Sequence, residues 1–249
     1  MKKIIPLLLL LLPGTLCAYT RKAPPDQNAI WLRAYPDGKK AYEYMEVGKD
    51  GAALYFNTLK VPPVLKAGKV DASIYRDLLQ ELDNADIFGV GQETERGQFL
   101  YSRGSEYLIT AVLKGEMLTA KVPAGNLSSG TKLALGELSG ALAQLEEPGN
   151  IYRFITAAPL GKDEVKDMET ANKKKILFYR LEAAELDAVK TTLARALIKP
   201  YRLVPVQDKA VLKQIGDFLF AHKIKPDLDS YFIETSRGKY RVTLINPGR

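Results

Sequence analysis

Cysteine, histidine and tryptophan are nearly absent from this chain: Cys17, His222 and Trp31 are single occurrences among 249 residues. Cys17 lies in the opening stretch, so the chain beyond it has no thiol nucleophile, no disulfide, no cysteine-held zinc and no haem attachment through cysteine. One histidine rules out a histidine-rich metal site and any two-histidine arrangement within one chain. No cofactor is indicated by any motif. The missing disulfides imply a fold held by core packing.

A long apolar run is missing too. Ile4 to Leu12 is apolar for nine residues, interrupted only by Pro6, whereas a membrane helix needs roughly 20. Lys2 and Lys3 precede this run, and Pro13 and Gly14 follow it just before small residues. That is the pattern of a secretory signal peptide over residues 1–18, cleaved after Ala18 or after Cys17. The expected protein is exported, periplasmic or extracellular, with no transmembrane span in the mature chain. Lipid attachment to Cys17 is the alternative. Leu16 weighs against it, because a small residue is wanted directly before the modified cysteine.

The formal charge is +7, and loss of Lys2 and Lys3 leaves +5. This balance points to anionic partners such as an envelope polymer, or to an envelope protein. Nucleic acid is disfavoured, since export and the lack of a helix-turn-helix or RNA-binding aromatic motif argue against it.

Residues 19–29 read as a flexible, proline-bearing lead-in. Three strand-like stretches follow, "IWLRAY", "AYEYMEV" and "AALYFNT", separated by the turns "PDGKK" and "GKDG". Asp71 caps a helix carrying Ile74, Tyr75, Leu78, Leu79 and Leu82 on one face. A hairpin over 106–123 and a helix with Leu135, Leu138, Leu142 and Leu145 in register come next. Pro148 and Gly149 end that helix. The second half offers a strand over 151–158, a short polar helix, a strand ending near 181 and a helix carrying Leu186, Val189, Leu193 and Leu197. It continues with a short strand in "YRLVPV", a helix capped by Asp208, with Val211, Leu212, Ile215 and Leu219 facing inward, and a hairpin over 230–246. The predicted class is α+β, mainly antiparallel sheets packed with amphipathic helices. Two subdomains are expected, 30–147 and 151–249, meeting near Glu147–Asn150. Each half contains a helix followed by a hairpin, which leaves duplication open.

Several motifs come close to known chemistry. "GNLSSGTK" (125–132) resembles a phosphate-binding loop, but Thr131 precedes Lys132, the reverse of the order that places lysine on phosphate and hydroxyl on magnesium. A one-residue shift turns a helical side chain by about 100°, so a loop capping a helix is the preferred reading. Ser129 and Lys132 also have the spacing at which a helix-borne lysine can activate a serine. Ser236 and Lys239 repeat the spacing within an expected hairpin turn, where no helix could present the lysine. His222 sits where a helix ends, a position favoured by the helix dipole. Glu93 with Glu95, and Asp163 and Glu164 with Asp167, are carboxylates that no sequence rule can pair across space.

Tyr231, Arg237, Lys239, Tyr240 and Arg241 mix rings with cations in the last hairpin, which suits contact with an anionic partner. The function expected from these features is that of a non-enzymatic cell-envelope binding or assembly protein. The alternative is a cell-wall polymer hydrolase or acyl enzyme using Ser129 and Lys132 or an unidentified carboxylate pair.

Overall fold

A computed structural model describes residues 21–22, 28–36, 41–89, 105–113, 115–149, 151–173, 175–180, 193, 196–221, 230–236 and 238–247. The signal-peptide stretch, Glu93, Glu95, Leu186, Val189, His222 and Arg237 lie outside these residues.

The chain is α+β, with two mainly antiparallel sheets. The first has seven strands: β1 (Arg21–Lys22), β2 (Ala29–Tyr35), β3 (Glu43–Gly48), β4 (Ala52–Asn57), β5 (Val64–Lys69), β6 (Glu106–Leu113) and β7 (Glu116–Pro123). Their spatial order is β1-β7-β6-β2-β3-β4-β5. The second has five: β8 (Arg153–Leu160), β9 (Tyr179–Arg180), β10 (Val204–Val206), β11 (Ser230–Thr235) and β12 (Gly238–Ile245), in the order β10-β8-β12-β11-β9. Only β9 and β11 run parallel among the described pairs. The helices are α1 (Ala72–Asn84), α2 (Ser129–Ala143), α3 (Lys162–Asn172) and α4 (Lys209–Ala221).

Strand alternation sorts the core into layers. Ile30, Leu32, Met45, Val47, Ile109 and Ala111 point from the large sheet toward Tyr75, Leu78 and Leu82 of α1 and Leu135, Leu138 and Leu142 of α2. Their neighbours Trp31, Tyr44, Leu54 and Phe56 point the other way, against Ile151, Phe154 and Leu203 of the second half. The small sheet turns Ile155, Ala157, Ile233, Tyr240 and Val242 toward Ile215 of α4 and toward Leu193, Ala196 and Leu197. Helices therefore flank two sheets stacked face to face. Because β2 is covered on both sides, its residues 29–32 are all buried and apolar instead of alternating with polar ones.

The helix starts follow their capping chemistry. Asp71 accepts a hydrogen bond from the Ser73 amide at 2.8 Å, and the Ser73 bonds hold its carboxyl below the usual range. At α2 the cap is Ser128, whose Oγ accepts from the Thr131 amide at 3.0 Å. Replacing Ser128 by Ala should lower stability by about 1 kcal/mol. A denaturation midpoint unchanged from wild type would show that this cap is dispensable.

β5 lies at the edge of the large sheet, and the chain after α2 returns along it. The Ala67 amide donates to the Glu146 carbonyl at 3.0 Å, and Lys66 Nζ reaches the Ala143 carbonyl. Gly68 makes room for this return, since a Cβ there would lie 3.1 Å from Leu145 Cδ2.

Candidate functional site

The seam between the two sheets is apolar around Phe56 and Phe154, whose ring centroids lie 5.3 Å apart. Two arginines enter the same seam. They are treated very differently by their surroundings, and the contrast defines the candidate site.

Arg202 follows Pro200 and Tyr201 just before β10. Its Nε donates to Glu46 Oε1 at 2.9 Å, and its Nη2 bonds the same oxygen. Glu46 reaches it because β3 alternation turns residues 44 and 46 into the seam. The Tyr44 hydroxyl donates to Glu46 Oε2 at 2.5 Å and accepts from the Leu203 amide at 3.2 Å. Trp31 completes the group: its Nε1 donates to the Pro200 carbonyl at 3.0 Å, and its ring lies 5.7 Å from the Arg202 guanidinium carbon. Charge meets charge here, and each carboxylate oxygen has a donor.

Arg33 has no such carboxylate among the described residues. It projects from β2 into the seam and is only 9% exposed. Nη2 donates to Thr156 Oγ1 at 2.6 Å and to the Tyr201 carbonyl at 2.7 Å. The guanidinium carbon lies 4.9 Å from the Tyr42 ring centroid and 6.0 Å from that of Tyr201, and Tyr35 packs on Tyr42 at 5.6 Å. Among the described residues no carboxylate pairs with Arg33. Its Nε and the Tyr42 hydroxyl are both buried without a hydrogen-bond partner among them. Burial opposes the Arg33 charge, but Tyr42 and Tyr35, the latter also hydrogen-bonded to the Arg33 side chain, outweigh it and the net direction is upward, so the group stays cationic.

The magnitudes make this arrangement unusual. Leaving a buried charge uncompensated costs several kcal/mol. Stacking on a ring returns about 0.5–2 kcal/mol, and a hydrogen bond to a charged group about 1.5–3 kcal/mol. The orphan donor and the orphan hydroxyl add a further penalty of about 1–3 kcal/mol for each group left unsatisfied. An arriving acceptor would relieve it.

The surrounding phenols predict a pH response. Burial raises Tyr201 to about 12, with the Glu164 carboxylate also pushing upward and Arg33 opposing. Burial likewise raises Tyr42 and Tyr44. An unfolded phenol loses its proton near 10, so between pH 10 and 12 the folded state holds more protons than the unfolded one. Stability is therefore unaffected below pH 10 and falls as pH rises through that window. Phenolate absorbance at 295 nm, followed alongside circular dichroism, should show unfolding there; free titration of every tyrosine near pH 10 with the fold intact would contradict it.

The residues singled out in the last hairpin divide between two faces. Tyr240, 1% exposed, and Tyr231 pack in or against the core beneath α4. Lys239 and Arg241 lie on the opposite face of β12, with Lys239 Nζ 4.5 Å from the Phe178 ring centroid. Arg241 pairs with Ala158 two residues beyond the Thr243–Thr156 pair. Its charge acts on the Tyr201 phenol, which ties this exposed arginine to the Arg33 cluster. Ser129 and Lys132 are exposed in the first turn of α2 with no hydrogen bond between them. Asp163 and Glu164 occupy the first turn of α3, where Glu164 Oε2 accepts from the Gly161 amide at 2.8 Å.

No known family model matches this chain, and comparison with curated proteins finds no match. The site therefore stands on its own geometry. Among the described residues no three His, Cys, Asp or Glu side chains gather to hold a metal, and no helix is long and apolar enough to cross a membrane.

The Arg33 cluster was not singled out in the sequence, although a signal was present. "IWLRAY" places Trp31, Arg33 and Tyr35 on one face of a strand, and an arginine there shares a face with a core tryptophan. What the sequence lacks is the partner: Thr156 and Tyr201 are 123 and 168 residues away.

Proposed function

We propose that this chain is an exported, non-enzymatic binding protein of the cell envelope whose partner carries negative charge. One observation carries the reading: Arg33 is a buried cation with a spare donor and no carboxylate among the described residues. Arg241 adds a second positive charge nearby, offset in part by the Glu164 carboxylate, and the formal charge of +5 left after loss of Lys2 and Lys3 favours approach of an anion. Ser129 and Lys132 share no hydrogen bond among the described residues, so the serine–lysine form of the hydrolase alternative lacks geometric support, while its carboxylate-pair form is decided by the assay below. Export rests on the opening twenty residues, and the two halves as subdomains on the division of the sheets.

The test is retention of envelope components by immobilised full-length protein purified from its natural compartment, with its intact mass measured first. A mass beginning at Ala18 or Tyr19 fits the export reading. An anionic component retained saturably, and displaced by salt, supports binding. Release of soluble wall fragments by the protein, or no saturable retention, overturns the proposal.

A further inference from the structure

From the same cluster we infer that Arg33 and Tyr42 form a subsite for a single carboxylate group, an assignment that rests on the binding reading above. Two buried donors are unspent: the Arg33 Nε–H and the Tyr42 O–H. They belong to one stacked pair, the guanidinium lying over the Tyr42 ring. A carboxylate has two oxygens in one plane and one negative charge. It can take a charge-assisted bond from Nε and a second from the phenol, leaving no oxygen stranded.

A phosphate group fits less well. Nη2 is already committed to Thr156 Oγ1 and the Tyr201 carbonyl, so the usual two-pronged arginine grip on phosphate is not free. A phosphate brings more oxygens and more charge than the two unspent donors can satisfy, and burying an unpaired charged oxygen is costly. The surrounding tyrosine rings suit instead the carbon skeleton behind a carboxylate. Tyr35, Tyr42 and Tyr201 are only partly buried, so the group arrives from the rim they form. Arg241, exposed near Tyr201, favours an anion's approach without entering the site, and the Glu164 carboxylate, which also acts on Tyr201, opposes it.

The Arg33 side chain reports on its own occupancy. In the full-length protein, the ¹⁵N–¹H resonance of Arg33 Nε is followed during titration with sodium acetate, and separately with inorganic phosphate and sodium chloride at matched ionic strength. Acetate should shift this resonance saturably, and phosphate should bind at least tenfold more weakly. Tyr42→Phe keeps the ring and removes only the donor. It should weaken acetate binding about tenfold, the loss expected for one hydrogen bond to a charged group. Arg241→Gln, at an exposed position, should weaken it severalfold while leaving the fold intact. No saturable acetate response, an equal response to phosphate, or indifference to Tyr42→Phe each overturns the carboxylate assignment. If the protein still retains an anionic envelope component in that case, the binding reading survives and only the subsite is lost.

Discussion

Replacing Glu46 by Ala is expected to destabilise the protein by about 3–5 kcal/mol, the cost of stranding one partner of a buried ion pair. The Arg202 side chain is 23% exposed and that of Glu46 9%, so solvent can do little to screen the charge left behind. The loss extends beyond the pair, because the Tyr44 hydroxyl would lose the acceptor it holds at 2.5 Å. Urea denaturation should show a lower midpoint with an unchanged slope. The double replacement Glu46→Met with Arg202→Met should recover much of the loss, since well-packed apolar groups often substitute for a buried pair without penalty. A double variant that is as unstable as the sum of the two single ones would show that the pair is not coupled as its geometry implies.

Phe154→Ala should cost a similar amount, about 3–5 kcal/mol for emptying a fully buried aromatic site. Phe154 is 0% exposed and sits where both sheets contribute, against Phe56 from the large sheet and beside Leu203. The cavity opens at the contact between the two halves of the chain, so both sheets should weaken together. Fluorescence of Trp31, which lies in the same seam, and far-ultraviolet circular dichroism should report one coincident transition at a lower midpoint. Two separated transitions would show instead that 30–147 and 151–249 melt as independent subdomains. A loss below 1 kcal/mol would mean that neighbouring side chains collapse into the vacated space.

The parts of this fold that are legible in the sequence are those with local causes. Asp71 announces α1 because its carboxylate caps the helix two residues on, and Leu135, Leu138 and Leu142 mark the buried face of α2 by spacing alone. Three details differ from the sequence reading, the first being that Arg21–Lys22, within the lead-in, pair with β7. β5 went unrecognised because "VLKAGK" shows no clean alternation and contains Gly68, a residue explained only by the Leu145 side chain crossing beside it. In "KKKILFYRL" only Tyr179 and Arg180 are strand among the described residues, held by parallel pairing to β11. Such pairing depends on a segment more than fifty residues away and leaves no local mark.

The site was less legible than the fold for the same reason. Glu46 and Arg202 are 156 residues apart, and nothing in "YEYMEV" or "YRLVPV" names the other. The rings and cations of the last hairpin were visible as a composition, but strand alternation separates Tyr231 and Tyr240 from Lys239 and Arg241. Among the described members of that group, Arg241 is the one whose charge reaches Tyr201.

The return of the chain along β5 also bears on what happens when many copies are crowded together. An uncovered sheet margin offers a row of amides and carbonyls on which a foreign strand can grow, and such growth leads to fibrils. Here the segment after α2 already occupies that margin at Ala67, and Lys66 is drawn toward the end of the helix. A newcomer would have to displace Ala143 to Glu146 before it could align, and then bury a lysine's charge along its path. Self-templated polymerisation through this side of the large sheet is thereby impeded at its first step.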